Sequence, residues 1–283
     1  MTRIRVAQLQ LPVPEDKKDT MDLVKRTVHD VVSQEVDMVF LAEMFCCPYQ
    51  AKNFPLYAEA EGGPMWQFCS GLAKEHAIWL SAGSMPERDE AGHIYNTAYV
   101  FDKSGRQVAR HRKMHLFDID VKGGQRFMES ETLTAGDSVT TFETEFGTFG
   151  LCVCYDFRFP ELGRLMALRG AQVIIVPAAF NMTTGPAHWE IMFRSQALNN
   201  QVFAVGTAPS RDPLASYTSW AHSIVTDPWG RVVNMMDEKQ GVYVGELDLS
   251  IVQEIRDQLP LLKHRRTDVY RLEEKEREKE PYL

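Results

Sequence analysis

Apolar runs separated by turn residues divide the chain into alternating strands and helices. Ile4 to Leu9 alternate and predict a first strand, and Thr20 stands as the cap of a helix on which Val24, Val28, Val31 and Val32 recur at helical spacing. The continuous run from Val36 to Glu43 predicts a second strand that ends on a carboxylate. Pro64, after two glycines, opens a helix to Ala77, and Ile78 to Ser84 follows as a buried strand. Tyr95–Asp102 pairs with Gln107–Lys113 around a Ser-Gly turn, and Thr140–Glu145 pairs with Thr148–Cys154 around Gly147. Pro160 then starts a helix that Gly170 ends, and the run Ala171–Phe180 repeats the pattern of 36–43, a hint of internal symmetry. Ala187–Gln201 reads as a helix and Val202–Thr207 as a strand. A hairpin, 223–226 with 231–235, turns at Asp227-Pro-Trp-Gly230, before a strand over 241–249 and a helix capped by Ser250. Strands and helices in this order predict an α/β fold with mixed sheets layered by helices. No linker interrupts residues 1–270, which form one domain by this reading; residues 271–283 make a mixed-charge tail, a solvated helix or an arm along a partner.

Composition narrows the function classes. A hydrophobic content of 44% supplies a full core, while a net charge of -8 and the lack of a basic stripe argue against nucleic acid. No apolar run is long enough to span a bilayer, and the first residues enter a strand without an apolar leader. Five cysteines, two adjacent and two separated by one residue, do not read as a disulfide framework, so a reducing cytoplasm is the expected setting. Cys152 and Cys154 would share one face of a strand, but no second ligand pair completes a metal site.

The chemistry gathers at three predicted strand ends, Glu43, Lys113 and Cys154, and in α/β sheets that is where function collects. Cys154 ends a strand just before the helix at Pro160, where free backbone N–H groups can stabilise an anion. A thiolate that attacks an amide or nitrile carbon needs a base for its proton and positive charge for the resulting oxyanion. Carboxylate, lysine and cysteine together meet these demands. Taken singly, Cys154 also fits an inert buried cysteine, Glu43 a turn cap, and Lys113 a solvated basic cluster.

Leu41-Ala-Glu-Met-Phe45, Arg112-Lys-Met-His-Leu-Phe117 and Cys154-Tyr-Asp-Phe-Arg-Phe-Pro-Glu161 resemble, in order, the three signature blocks of the nitrilase superfamily of carbon–nitrogen hydrolases. The resemblance implies a four-layer α-β-β-α sandwich, subunits that dimerise so that the sandwich extends across the interface, and no cofactor. It makes Cys154 the nucleophile, Glu43 the general base and Lys113 the oxyanion stabiliser. By the same resemblance Glu129, in Phe127-Met-Glu-Ser130, is a further active-site carboxylate, and Tyr155 lends its backbone N–H to the oxyanion.

Phe180-Asn-Met-Thr-Thr-Gly-Pro-Ala-His-Trp-Glu190 resembles the omega-amidase subgroup, which hydrolyses 2-oxoglutaramate and 2-oxosuccinamate. Such a substrate needs a cationic fork for its far carboxylate, and Arg158, on the turn after the nucleophile, is placed to supply it. An ion pair of Arg158 with Asp156 or Glu161 is the competing reading. Tyr49, Thr183 and Thr184 are expected to add hydrogen bonds, and Phe180 to pack on the carbon chain. Ala42, Cys46-Cys47, Gln50 and Lys122–Arg126 depart from the subgroup pattern near the substrate mouth, which leaves an amidase for another small amide or an N-carbamoyl amino acid as the alternative. A non-catalytic binding protein on the same fold, and a Cys–His hydrolase using His115, complete the readings.

Overall fold

The computed structural model describes residues 2–275. Alternation along β1 (Arg3–Gln10) decides the layering: Ile4 and Val6 enter one hydrophobic cluster, Ala7 and Leu9 another. The chain continues through α1 (Lys17–Val32), β2 (Met38–Phe40), α2 (Phe54–Tyr57), α3 (Pro64–His76), β3 (Trp79–Arg88), β4 (Ile94–Phe101) and β5 (Gln107–Arg112). A small hairpin follows, β6 (Asp118–Asp120) with β7 (Arg126–Met128). The second half comprises β8 (Thr140–Thr144), β9 (Gly147–Leu151), α4 (Pro160–Leu168), β10 (Val173–Pro177), α5 (Gly185–Asn200), β11 (Phe203–Thr207), β12 (Ile224–Thr226), β13 (Val232–Met235), β14 (Gly241–Asp248) and α6 (Ser250–Gln258).

Two six-stranded sheets result, ordered β14-β1-β2-β3-β4-β5 and β13-β12-β11-β10-β9-β8. Met38, Phe40, Ala98 and Val100 of the first sheet join Phe149, Leu151, Val173 and Ile175 of the second in one core. Val39, Leu80, Tyr99 and Phe101 turn the other way and pack under Val24, Val28 and Leu72 of α1 and α3. Helices α4 and α5 cover the second sheet through Met166, Trp189 and Phe193. The layers are therefore helix, sheet, sheet, helix. Each fully buried Phe or Leu contributes about 1.5–3 kcal/mol.

The two sheets share a plan. In each, three parallel strands (β1-β2-β3 and β9-β10-β11) are flanked by one antiparallel strand on one side and two on the other. β2 and β10, the two runs whose patterns match, occupy equivalent positions, so the hinted symmetry is topological.

Several boundaries differ from the expectation. Asp16, not Thr20, caps α1, accepting from the Lys18 N–H at 2.6 Å; Thr20 is buried inside the helix. β2 stops at Phe40 because the chain turns at Met44, whose φ is 49°. β9 stops at Leu151, so the strand alternation does not carry from Cys152 to Cys154. Ser250 is the first residue of α6 rather than its cap, and its N–H and hydroxyl both donate to Asp248. Residues 271–275 are not helical; Glu274 pairs with Arg169, and the rest of the charged tail lies outside the described residues.

Candidate active site

Glu43 sits in the turn after β2, clamped on the bulged part of β3. Leu41 donates to the Ser81 carbonyl at 3.0 Å, Ser84 to the Ala42 carbonyl at 3.1 Å, and Phe45 to the Ser84 carbonyl at 3.2 Å. The approach is close enough that a Cβ on Gly83 (φ 58°) would lie 2.0 Å from the Ala42 oxygen. Lys113 follows β5 directly, held by its N–H on the Asn96 carbonyl at 2.8 Å and by Gly136 donating to its own carbonyl at 2.7 Å. Glu129 follows β7 and begins a single 3-10 turn.

These three side chains meet in a fully enclosed cluster. The Lys113 Nζ donates to Glu43 Oε1 and to Glu129 Oε1, each at 3.0 Å. Tyr49 Oη lies 2.6 Å from Glu129 Oε1 and 3.1 Å from Glu43 Oε1, and Asn96 Nδ2 donates to Glu43 Oε1 at 2.9 Å. Glu129 Oε2 accepts from the Phe117 N–H at 2.6 Å. Burial alone would strip the lysine of its proton, but Glu129, Glu43 and Cys154 hold it well above the usual lysine range, charged. Burial raises the carboxyl of Glu129, Lys113 opposes that rise, and Glu43 adds to it. Glu43 Oε2 makes none of these bonds and is buried without a hydrogen-bond partner.

Cys154 opens a 3-10 turn, Cys154–Arg158, in a left-handed conformation with φ 49°. A non-glycine residue rarely adopts that backbone, and the strain is tolerated where surroundings over-determine it. Burial pushes the thiol well up, the charge of Glu43 beside it pushes further, and Lys113 with the backbone of Ala179 pulls back. Tyr155 is the next residue of the turn, where the first N–H groups have no partner within the turn itself.

What fixes this turn is Asp156, whose carboxylate is fully buried. Its Oδ2 accepts from the Val153 N–H at 3.0 Å and His111 Nε2 at 2.9 Å. Its Oδ1 accepts from the Met114 and His115 N–H groups at 3.1 and 2.8 Å and from His115 Nδ1 at 2.8 Å. Burial would raise this carboxyl, yet the two histidines and the Val153 N–H hold it far below the usual range. One carboxylate thus ties the residue before Cys154 to the residues after Lys113. His115 is engaged by Asp156 and stacks on Phe159 with ring centroids 3.7 Å apart, so the carboxylate beside Cys154 is Glu43, not an imidazole.

Arg158 forms no ion pair with Asp156 or Glu161. Its Nη1 lies 3.1 Å from His188 Nδ1, and its guanidinium sits 4.6 Å from the centre of the Phe180 ring. Among the described residues it has no carboxylate partner. Phe180 is buried against Trp189. The Thr184 hydroxyl donates to Asn181 Oδ1 at 3.0 Å, shaping the start of α5, and Thr183 is exposed there. Tyr49, expected on the substrate side, has its hydroxyl inside the carboxylate–lysine cluster. A cavity of about 240 Å³ opens beside Glu43 and Tyr49, between residues 12–14 and 209–219.

The cluster is a buried Cys, Glu, Lys and second Glu, the set that a thiol-dependent attack on an amide requires. The family model described as carbon-nitrogen hydrolase matches residues 3–257. The chain belongs to the carbon-nitrogen hydrolase family. Omega-amidase NIT2 of Mus musculus is 45% identical over 275 residues, covering 97% of this chain and 99% of the relative. Omega-amidase NIT2 of Homo sapiens is 44% identical with the same coverage. Among solved structures, Saccharomyces cerevisiae Nit3, a member of branch 10 of the nitrilase superfamily, superposes with a TM-score of 0.86 at 37% identity, over 94% of this chain and 97% of that one. The C. elegans NitFhit protein gives 0.88 at 35% identity over 96% and 67%. As a carbon-nitrogen hydrolase the chain has the expected nitrilase-type α-β-β-α sandwich. Three residues of this hydrolase's site were not legible in the sequence: Asn96 on Glu43, Ala179 on Cys154, and Tyr217, whose hydroxyl donates to the Ala179 carbonyl. No local motif marks Asn96 or Ala179; Tyr217 lies in Arg211–Ser223, a stretch that resembles the omega-amidase subgroup, but nothing in that stretch singles out its hydroxyl.

Proposed function

We propose that this enzyme hydrolyses the terminal amide of small 2-oxo dicarboxylic acid monoamides, 2-oxoglutaramate and 2-oxosuccinamate, to the acid and ammonia. The relatives named omega-amidase support the reaction. The observation that carries the substrate is Arg158, a cation over Phe180 with no carboxylate partner among the described residues, on the same turn as Cys154. A free substrate carboxylate fits it as a charge-assisted partner. Thr183 and Thr184 add hydrogen bonds from the start of α5, and Phe180 packs on the carbon chain.

Glu43 takes the proton of Cys154 as the sulfur attacks the amide carbon. Lys113 Nζ and the Tyr155 N–H stabilise the oxyanion, and their fixed positions cost no reorganisation in the transition state. Glu43 returns the proton to the leaving nitrogen, ammonia departs, and a thioester remains on Cys154. Water, deprotonated by Glu43 with Glu129 nearby, attacks the thioester carbon; the C–S bond breaks and the acid is released. Tyr49 holds the two carboxylates in register.

Five free buried cysteines support a reducing, cytoplasmic setting, and no helix among the described residues is long and apolar enough to cross a membrane. Exposed Ile191 and Leu198, seven residues apart on α5, support a homodimer that buries this helix face.

The test is ammonia release from 2-oxoglutaramate, succinamate, glutamine, N-carbamoyl-β-alanine and a simple nitrile, with Cys154→Ala beside the wild type. Turnover of the first two, lost in the variant and with KM raised at least tenfold by Arg158→Ala, is the expected result, one lost ion-pair contact being about 1.4 kcal/mol or more. Turnover of the carbamoyl compound alone overturns the substrate assignment.

A further inference from the structure

Asn96 touches both halves of the cluster. Its carbonyl accepts the Lys113 N–H at 2.8 Å, and its Nδ2 donates to Glu43 Oε1 at 2.9 Å. One fully buried residue of β4 therefore sets the spacing of the carboxylate from the lysine. Its own Oδ1 is buried without a hydrogen-bond partner. A flipped amide would aim that oxygen at the Glu43 oxygen, so Glu43 dictates the orientation. An unpaired buried acceptor works against stability, so stability does not account for an asparagine at this position.

Asn96 is also the one donor that Glu43 does not share. Tyr49 has a single hydroxyl proton and stands nearer Glu129 Oε1, at 2.6 Å, than Glu43 Oε1, at 3.1 Å. Lys113 Nζ divides its protons between the two carboxylates. The Asn96 amide has no second acceptor among the described residues. All three donors converge on Oε1, and a carboxylate oxygen offers about two lone-pair sites. Oε1 is thus filled, and a proton added to the carboxyl goes to Oε2.

We propose that Asn96 is a positioning residue for the reaction: its amide keeps Glu43 Oε1 an acceptor throughout, so the proton taken from Cys154 is held on Oε2 and handed on from there. The inference rests on the amide hydrolysis above and adds which oxygen carries the proton and what keeps it there. The S–H bond breaks as the O–H bond forms at Oε2. That O–H bond breaks as the nitrogen gains the proton and the C–N bond opens. Without the Asn96 amide, Oε1 has a free lone pair, the proton divides between the two oxygens, and its delivery to nitrogen slows.

The experiment compares two acyl donors. Loss of ammonia from 2-oxoglutaramate needs a proton on the leaving nitrogen, whereas p-nitrophenyl acetate releases p-nitrophenolate, which departs without one. Wild type, Asn96→Ala and Asn96→Ser are compared in kcat/KM for the amide, which reports acylation, and in the rate of the p-nitrophenolate burst. Both replacements are too short to take over the amide's bond to Glu43, and serine keeps a polar group in the strand should the alanine variant not fold. Each is expected to lower amide kcat/KM about thirtyfold, the size of one hydrogen bond to a charged group, with the ester burst within about threefold of wild type. An equal fall with both acyl donors would overturn the inference and leave Asn96 a structural residue. An unchanged amide kcat/KM would overturn it too. If wild type is acylated by the ester but cleaves a different amide of the panel, the comparison is made on that amide, and the substrate assignment alone fails.

Discussion

Asp156 shows how much of the site rests on one side chain that does no chemistry. All of its partners donate to it, so an amide in its place would aim an NH2 group at N–H donors and leave buried groups unpaired. Asp156→Asn is expected to lose about 3–5 kcal/mol of stability, the scale of breaking a buried charged network, and to lower kcat more than it raises KM. Denaturant unfolding at several pH values gives a second readout. The folded carboxyl lies below its unfolded value of about 3.9, so the stability it contributes is complete above that pH and is lost as the pH falls through the folded value. Wild type should therefore weaken on acidification below about pH 4 more steeply than Asp156→Asn. Equal slopes would show that the carboxylate is not the acid-sensitive group. The sequence displays Asp156 inside a signature block, but its partners His115 and His111 lie 41 and 45 residues away, and local reading saw only a neighbour for Arg158. Cys154, Lys113, Glu43 and Glu129 could be picked out as candidates because each lies in a short block of its own.

At the scale of elements, the site depends on where strands stop. A continuous run to Glu43 predicted a strand, yet β2 has only three residues, because apolar character marks burial and not extended backbone. Leu41, Ala42 and Met44 are buried in a turn instead. The helices and most strands followed from periodicity, while α2, four residues, and the three-residue strands β6 and β7 were too short to carry a period. Gly83 is where the Glu43 turn meets β3, and Gly83→Ala would force a Cβ into the Ala42 carbonyl at positive φ. We expect a loss of about 2–4 kcal/mol, seen as a lower Tm, and a fall in kcat of at least tenfold as Glu43 shifts from Lys113. An active, stable Gly83→Ala enzyme would mean that the turn can relax without moving Glu43.

For the whole molecule, α5 covers the second sheet with Trp189 and Phe193 and turns Ile191, 68% exposed, outward. If that face is covered by a second copy, Ile191→Asp should convert a dimer to a monomer in sedimentation velocity, at protein concentrations where wild type is dimeric. A dimer that survives Ile191→Asp and Leu198→Asp would place the interface elsewhere. The closing strand of the first sheet has a different consequence. β14 pairs along all of β1, from Arg3 with Asp248 to Gln10 with Gly241, so the sheet begun by the earliest residues is completed by some of the last. During synthesis, β1 must wait for more than two hundred residues with one edge unpaired, and until then the emerging chain carries a sticky, template-like border. Ribosome-stalled chains that end before β14 should accordingly depend on chaperones far more than full-length chains, because such long-range pairing forms late.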